Sequence, residues 1–331
     1  MRYAIKTQKL TKIFDGNAAV DKLSFSVERG ELFGLLGPNG AGKTTTINML
    51  STLLEPTSGC AEVAGFNVLT QRDEVRCSIG IVFQDPALDI KLTGRENLDF
   101  HSMMYGMERR EREERIDEVL EMVELTDRQD TLVENYSGGM KRRLEMARGL
   151  IHRPKVLFLD EPTLGLDAQT RRRIWDYIKK LNKEEDITII LTTHYMEEAD
   201  FLCDRIAIMD FGKIIALDTP EKLKDVVGGD VVSLEISGDV NGFTENLNSL
   251  EWVRAVKKHN SKLGLTVEKG EKRIPELINI ALENGIGVDS VNLRKPSLED
   301  VFLHFTGKTI REEESGRNKT NKELIMRRMR K

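Results

Sequence analysis

Gly37-Pro38-Asn39-Gly40-Ala41-Gly42-Lys43-Thr44 fits the pattern G-x-x-x-x-G-K-[ST]. It follows a short apolar run, Glu31 to Leu36, and opens a helix-like stretch from Lys43 to about Leu53 that Pro56, Ser58 and Gly59 close. Strand, glycine-rich turn and helix in that order narrow the fold more than any other part of the chain. Glycines let the backbone curl so that successive N–H groups converge, and the helix N-terminus adds partial positive charge at the same point. A nucleoside polyphosphate fits such a turn: Lys43 reaches the β- and γ-phosphates, and the Thr44 hydroxyl is placed to ligate Mg²⁺.

A second constellation points the same way. Val156-Leu157-Phe158-Leu159-Asp160-Glu161 reads as an apolar strand that delivers two carboxylates at its C-terminal end, where ligands bind in open α/β sheets. Asp160 is read as a Mg²⁺ ligand, directly or through water, and Glu161 as the group that polarises a water for in-line attack on the γ-phosphate. A strand ending in Asp-Glu is common by itself; the upstream P-loop gives this one its chemistry. Strand-like segments at 78–83, 156–159, 187–192 and 205–209 alternate with helix-like ones at 169–183 and 197–202. That alternation predicts an α/β P-loop NTPase with a mostly parallel sheet. Residues 1–36 read as short β segments.

Composition removes other classes. Lys plus Arg is 50 and Asp plus Glu 55, a net charge of −5, which argues against a protein that coats nucleic acid. No apolar run approaches the ~18–20 residues of a membrane helix. Met1 to Lys6 shows no apolar leader segment. Cys60, Cys77 and Cys203 are odd in number and lack CxxC spacing, so a disulfide scaffold or structural zinc is not expected and a reducing compartment is. The chain also lacks the Asn-Lys-x-Asp segment with which a G protein reads guanine.

Residues 93–150 read as a helical insertion. Within it, 108–124 carries alternating charge at helical spacing, a solvated helix face. Met103, Met104, Tyr105 and Met107 either pack at a helix interface or, because Met adapts to varied partners, form a docking surface for another protein. After Gly228-Gly229 the pattern resets to βαββαβ, which suggests a small ferredoxin-like domain, followed by a helix at 298–305. The expected boundaries are 1–228, 229–310 and a charged tail, 311–331. From Arg317 the tail holds seven basic residues and one acidic, and is expected to be disordered, serving solubility or touching anionic headgroups.

Tyr136-Ser137-Gly138-Gly139-Met140-Lys141-Arg142-Arg143 reads locally as a loop-to-helix N-cap. Taken in order, the P-loop, this SGG segment, Leu157-Phe158-Leu159-Asp160-Glu161-Pro162 and Thr192-Thr193-His194 make the chain resemble the ATP-binding subunit of an ABC transporter, over residues from about 4 to 220. The resemblance implies ATP and Mg²⁺ as cofactors and carries roles position by position. Phe14 stands where the family places an aromatic that stacks on adenine, with core packing beside Phe25 and Phe33 as the alternative. Gly37 to Thr44 and Thr45 cradle the phosphates. Gln84 matches the glutamine that contacts Mg²⁺ or the attacking water and senses the membrane partner. Ser137, Gly138 and Gly139 match the signature that closes over the γ-phosphate of a second subunit's ATP. Asp167, in Leu164-Gly165-Leu166-Asp167, matches the loop at the subunit junction, and His194 the histidine that contacts the γ-phosphate.

The family's commonest signature is LSGGQ. Here Tyr136 and Met140 stand at its ends, so the phosphate-facing Ser and Gly remain but the glutamine amide is absent. With Leu92-Thr93-Gly94-Arg95-Glu96-Asn97-Leu98 and Pro296-Ser297-Leu298-Glu299-Asp300-Val301-Phe302-Leu303, this variant resembles the daunorubicin-resistance type of multidrug exporter ATPase. The resemblance implies an ATPase that pairs head-to-tail with a second copy of itself. It would power a separate transmembrane permease at the cytoplasmic face of the membrane, exporting drugs or other hydrophobic, lipid-like compounds, with no nucleic-acid partner. A free-standing regulatory ATPase is the competing class. Chromosome-structure relatives need long heptad coiled coils and translation-factor relatives two cassettes; neither is present here.

Overall fold

Leu32–Leu36, Val156–Asp160 and Thr188–Thr193 are buried at every residue, the pattern of strands covered on both faces. In the computed structural model, which describes residues 2–84, 87–237, 243–259 and 262–307, they sit at the middle of a six-stranded sheet. The sheet belongs to the first of two units, Met1–Thr219; the second begins at Pro220.

In chain order the first unit contains β1 (Tyr3–Phe14), β2 (Asn17–Leu23), β3 (Ser26–Glu28), β4 (Leu32–Leu36), α1 (Lys43–Leu50), β5 (Ser58–Val63), β6 (Phe66–Asn67), α2 (Arg72–Ser78) and β7 (Ile79–Val82). It continues with α3 (Gly94–Met104), α4 (Arg109–Met122), α5 (Gly138–Leu150), β8 (Val156–Asp160), α6 (Ala168–Glu185), β9 (Thr188–Thr193), α7 (Met196–Leu202), β10 (Arg205–Asp210) and β11 (Lys213–Asp218). The large sheet runs β11-β10-β4-β9-β8-β7 and is parallel except for β11, which pairs antiparallel with β10. This is the mostly parallel sheet expected. Because β4, β9 and β8 are neighbours, the P-loop, Thr192-Thr193 and Asp160-Glu161 all leave the same sheet edge.

A second, antiparallel sheet runs β2-β1-β5-β6, with β3 also on β1. The short segments read at 1–36 include one strand of 12 residues, β1. Lys9 in the left-handed region (φ 49°) and a register slip against β5 between Gln8 and Thr11 break its alternation, which hides its length in the sequence.

In the helical insertion, α3 starts at a capping box: Thr93 accepts the Glu96 N–H, and the Glu96 carboxylate accepts the Thr93 N–H. Helix α4 buries Ile116, Val119 and Leu120 and turns the Arg109–Glu113 and Arg110–Glu114 pairs to solvent, so the charge run is a solvated face. The methionines correct the packing alternative. Leu98 and Ser102 take the inward face of α3, leaving Met103 and Met104 50% and 70% exposed.

The second unit holds α8 (Pro220–Val227), β12 (Asp230–Ser237), α9 (Phe243–Asn248), β13 (Val253–His259), β14 (Lys262–Val267), α10 (Gly270–Glu283), β15 (Gly287–Arg294) and α11 (Leu298–Thr306). Its sheet, β13-β14-β12-β15, is antiparallel throughout, the ferredoxin-like order that βαββαβ suggests. Val232, Leu234 and Ile236 alternate inward and meet Leu263, Leu265, Leu277 and Phe243 in its core. The sequence reading sets the boundary after residue 228; α8 packs on α11, so the unit begins at Pro220 instead. The expected tail at 311–331 lies outside the described residues. Among those described, no helix is long and apolar enough to cross a membrane.

Candidate active site

From Leu36 the chain turns into α1 through Gly42, at φ 100°, where a Cβ would stand 2.5 Å from the Ala19 carbonyl oxygen; only glycine fits. Asn39 and Gly40 form the exposed tip of the turn, and Pro38, Ala41 and Lys43 are buried. The Lys43 ammonium donates to the carbonyls of Gly37 (2.8 Å) and Pro38 (3.2 Å) and stands 3.4 Å from Glu161 Oε1. The Thr44 hydroxyl donates to Asp160 Oδ1 at 3.2 Å, and the Thr192 hydroxyl donates to the same oxygen. Thr45 follows on α1, half-buried.

Glu161 adopts φ 48°, a region non-glycine residues seldom enter. Its N–H donates to the Thr192 carbonyl (3.2 Å) and hydroxyl (3.0 Å), which hold the twist. Its second carboxylate oxygen lies 3.1 Å from His194 Nδ1. Burial pushes the Glu161 carboxyl up, but the hydrogen bond to His194 and the charge of Lys43 outweigh it and hold the group below the usual carboxylate range. The side chain is therefore an ionised acceptor at neutral pH.

Lys43, Thr44, Asp160, Glu161 and His194 thus converge from three neighbouring strand ends. The other residues singled out in the sequence stand apart from this cluster. Phe14 ends β1 at 45% exposure with the Lys12 ammonium over its ring, whereas Phe25 and Phe33 stack on each other in the core at 5.4 Å; core packing is not the role of Phe14. Gln84 is exposed just beyond β7. Ser137 caps α5 by accepting the Met140 N–H, and the nearest neighbours of Gly138 and Gly139 are Leu166 and Thr170. Asp167 caps α6, accepting the Thr170 hydroxyl (2.6 Å) and N–H (2.9 Å), and these bonds hold its carboxyl below the usual range.

An ABC transporter family model matches residues 20–164, and a model of the C-terminal domain of DrrA1-3-like ATP-binding proteins matches 219–306. The linearmycin resistance ATP-binding protein LnrL of Bacillus subtilis (strain 168) is 41% identical over 311 residues, spanning 93% of this chain and 100% of its own. The chain belongs to the ATP-binding subunits of ABC transporters. The daunorubicin/doxorubicin resistance ATP-binding protein DrrA of Streptomyces peucetius is 39% identical over 92% of each chain. A dimeric ATP-binding cassette solved in a post-hydrolysis state with ADP and Pi superposes with a TM-score of 0.58 at 30% identity, covering 65% of this chain and 98% of that one. This ABC subunit is an ATPase, converting ATP and water to ADP and phosphate.

Tyr136, the departure in the ABC signature, has a structural counterpart in Gly94. The Tyr136 hydroxyl donates to the Arg128 carbonyl at 2.7 Å, and a Cβ on residue 94 would stand 2.3 Å from its oxygen. Gly94→Ala is expected to cost about 1–3 kcal/mol by overpacking, and Tyr136→Phe in the same chain to recover part of it. Thermal unfolding measures both; an unshifted Tm for Gly94→Ala would show that the ring yields without cost.

Sequence reasoning passes over three buried residues around this ABC site. Glu198 accepts from the Thr163 hydroxyl (2.7 Å) and the Trp175 indole N–H (2.8 Å), tying the segment after Glu161 to the helix after His194. Arg142 and Glu145 lie behind Asp160 and Glu161 on the inward face of α5. Opposite charges three residues apart, among the buried Leu144, Met146 and Leu150, are the sequence signal that marks them.

Proposed function

We propose that two copies of this subunit close head-to-tail on two ATP molecules and drive a separate permease that exports drugs or other hydrophobic, lipid-like compounds. One observation carries the reading. Lys43, Asp160, Glu161 and His194 form one cluster, while Ser137 caps α5 and Gly138 and Gly139 neighbour Leu166 and Thr170, which supports a signature that serves the P-loop of another copy. A mate supplies the signature for this one. The dimeric ATP-binding cassette with ADP and Pi supports the pairing, and the linearmycin and daunorubicin/doxorubicin resistance relatives support drug export.

In this mechanism the triphosphate draws the Lys43 ammonium from the Gly37 and Pro38 carbonyls, since an anionic oxygen is the stronger acceptor. The Phe14 ring stacks on adenine. The Thr44 hydroxyl and Asp160 carboxylate, already within hydrogen-bond distance, are hard oxygen donors that suit Mg²⁺, and Gln84 would join them when the metal is bound. When bound, Mg²⁺ neutralises charge on the β- and γ-phosphate oxygens. Glu161 orients a water and takes its proton as oxygen attacks the γ-phosphorus; the bond to the bridging oxygen breaks, leaving ADP and phosphate. His194 holds Glu161 and contacts the γ-phosphate, and Asp167 lies at the junction between copies. Residues 1–219 are the ATP-binding module, with 93–150 as its helical part, and the subunit works at the cytoplasmic face of the membrane without nucleic acid.

The permease contact is placed at a cavity of about 540 Å³ between the strand end before Gln84 and α3, lined by Leu53, Ile81, Phe83, Phe100, Met104 and Tyr105 among others. Burial pushes His101 at its wall down to about 4, with Arg148 and His152 adding to the shift, so this imidazole is neutral at neutral pH. Phe100 is 62% exposed, an apolar side chain with room for a partner. Phe100→Glu is expected to abolish drug export by cells carrying the subunit with its permease, while the purified subunit keeps its basal ATPase rate. A basal rate that falls in step with export would withdraw this docking surface.

A further inference from the structure

Arg142 is 7% exposed and Glu145 fully buried. The Arg142 guanidinium donates to the main-chain carbonyls of Phe83 (2.5 Å), Pro162 (2.8 Å), Asp160 (3.0 Å) and Glu161 (3.3 Å), and to one Glu145 carboxylate oxygen at 3.0 Å. The other Glu145 oxygen accepts the Ala87 N–H at 2.8 Å. A single ion pair therefore fastens the chain before Gln84 at Phe83 and after it at Ala87. It joins both points to the strand end that presents Asp160 and Glu161, and it sits on the helix capped by Ser137.

Stability alone is a poor reason for such an arrangement, because a buried ion pair adds little over neutral groups that fill the same space. Geometry is the better one. The guanidinium is a rigid planar fork with five N–H donors, able to hold several carbonyls at fixed relative positions, which an ammonium cannot. The carbonyls it holds at 160 and 161 belong to the peptide units that set where the Glu161 side chain begins.

We propose that the Arg142–Glu145 pair is a positioning device for ATP hydrolysis. It sets the distance of Glu161 from the γ-phosphate, and it carries any displacement of the Gln84 segment or of α5 to Glu161. The inference rests on Glu161 being the group that activates water. Neither Arg142 nor Glu145 touches nucleotide in it; both act through the main chain.

The test uses the full chain with Arg142→Gln/Glu145→Gln, whose amides keep hydrogen bonds to the main chain without a lone buried charge, and with Arg142→Lys, which keeps the charge but loses the fork. Glu161→Gln is the control. ATPase kinetics, binding of a fluorescent ATP analogue and thermal unfolding are measured on each. The double variant is expected to lose about 10²-fold in kcat, the effect of misplacing a reacting group by ~1 Å, with ATP-analogue Kd within about twofold of native. Arg142→Lys is expected to lose about tenfold in kcat with its Kd and Tm near native. A folded double variant with native kcat overturns the proposal. So do losses of Tm, binding and kcat that move together in both variants, since they would mark a structural role only. If Glu161→Gln itself turns over at the native rate, the assignment of the base fails and takes this inference with it. If Glu161→Gln is inactive while the Arg142 variants are native-like, the positioning device alone fails.

Discussion

Glu161→Gln is expected to bind ATP as the native chain does and to hydrolyse it about 10²–10³-fold more slowly, the usual worth of a positioned general base. The amide has the shape of the carboxylate but cannot take a proton from water. It also relieves Lys43 of the carboxylate that stands 3.4 Å away, so the ammonium turns to phosphate with less competition. Hydrolysis is the step that would reopen a nucleotide-bound dimer, so slowing it accumulates the closed form. Light scattering with and without Mg-ATP reads this as a shift from monomer to dimer, seen in Glu161→Gln and absent or transient in the native chain. Native turnover would assign water activation to another group. Slow turnover in a species that stays monomeric with Mg-ATP would remove head-to-tail closure while leaving the base in place.

Lys43→Ala is expected to reduce kcat/KM by about 10²-fold or more, with much of the loss in ATP affinity. A charge-assisted hydrogen bond contributes about 1.5–3 kcal/mol, and in the proposed mechanism Lys43 directs its charge at the two phosphates that carry most of the ligand's charge. The substitution also leaves the buried Glu161 with His194 alone. The charge of Lys43 is one of the influences that hold the Glu161 carboxyl down, so its removal raises that carboxyl. A base works only when deprotonated, and activity is lost as pH falls through its pKa. The acid limb of the residual activity therefore moves to higher pH in Lys43→Ala. ATP titration and a pH–rate profile check the two effects separately; unchanged affinity would withdraw Lys43 from phosphate binding.

Much of this site is legible in the sequence because it is local. Gly37 to Thr44 is contiguous, Asp160 and Glu161 follow an unbroken apolar strand, and each motif sits where a strand meets a turn. The alternation of strands and helices likewise announces the parallel sheet. What the sequence hides is non-local. The length of β1 is masked by the left-handed Lys9, because a bulge disrupts the two-residue period on which strand reading depends. The exposure of Met103 and Met104 depends on which face of α3 the rest of the unit covers, and hydrophobicity alone points the other way. The same limit applies to Phe14, whose apolar character is compatible with either surface or core until the stack of Phe25 on Phe33 is seen. The spacing of Arg142 and Glu145 marks them as a pair, but the role of Arg142 stays hidden, since four of its acceptors are main-chain carbonyls, which every residue possesses.

The twisted backbone of Glu161 has a consequence for the order in which the molecule comes into being. An L-residue in the left-handed region carries a local penalty of about 1–2 kcal/mol, so the segment from Val156 to Pro162 has no reason to take this shape by itself. Arg142 holds the Glu161 carbonyl, but the groups that accept the Glu161 N–H belong to Thr192, some thirty residues further along the chain. During synthesis the P-loop and both carboxylates leave the ribosome well before that threonine does. A nascent chain halted before β9 therefore carries Lys43, Asp160 and Glu161 but neither His194 nor the Thr192 groups that accept the Glu161 N–H, and this cluster is complete only once the strand in the middle of the sheet is made.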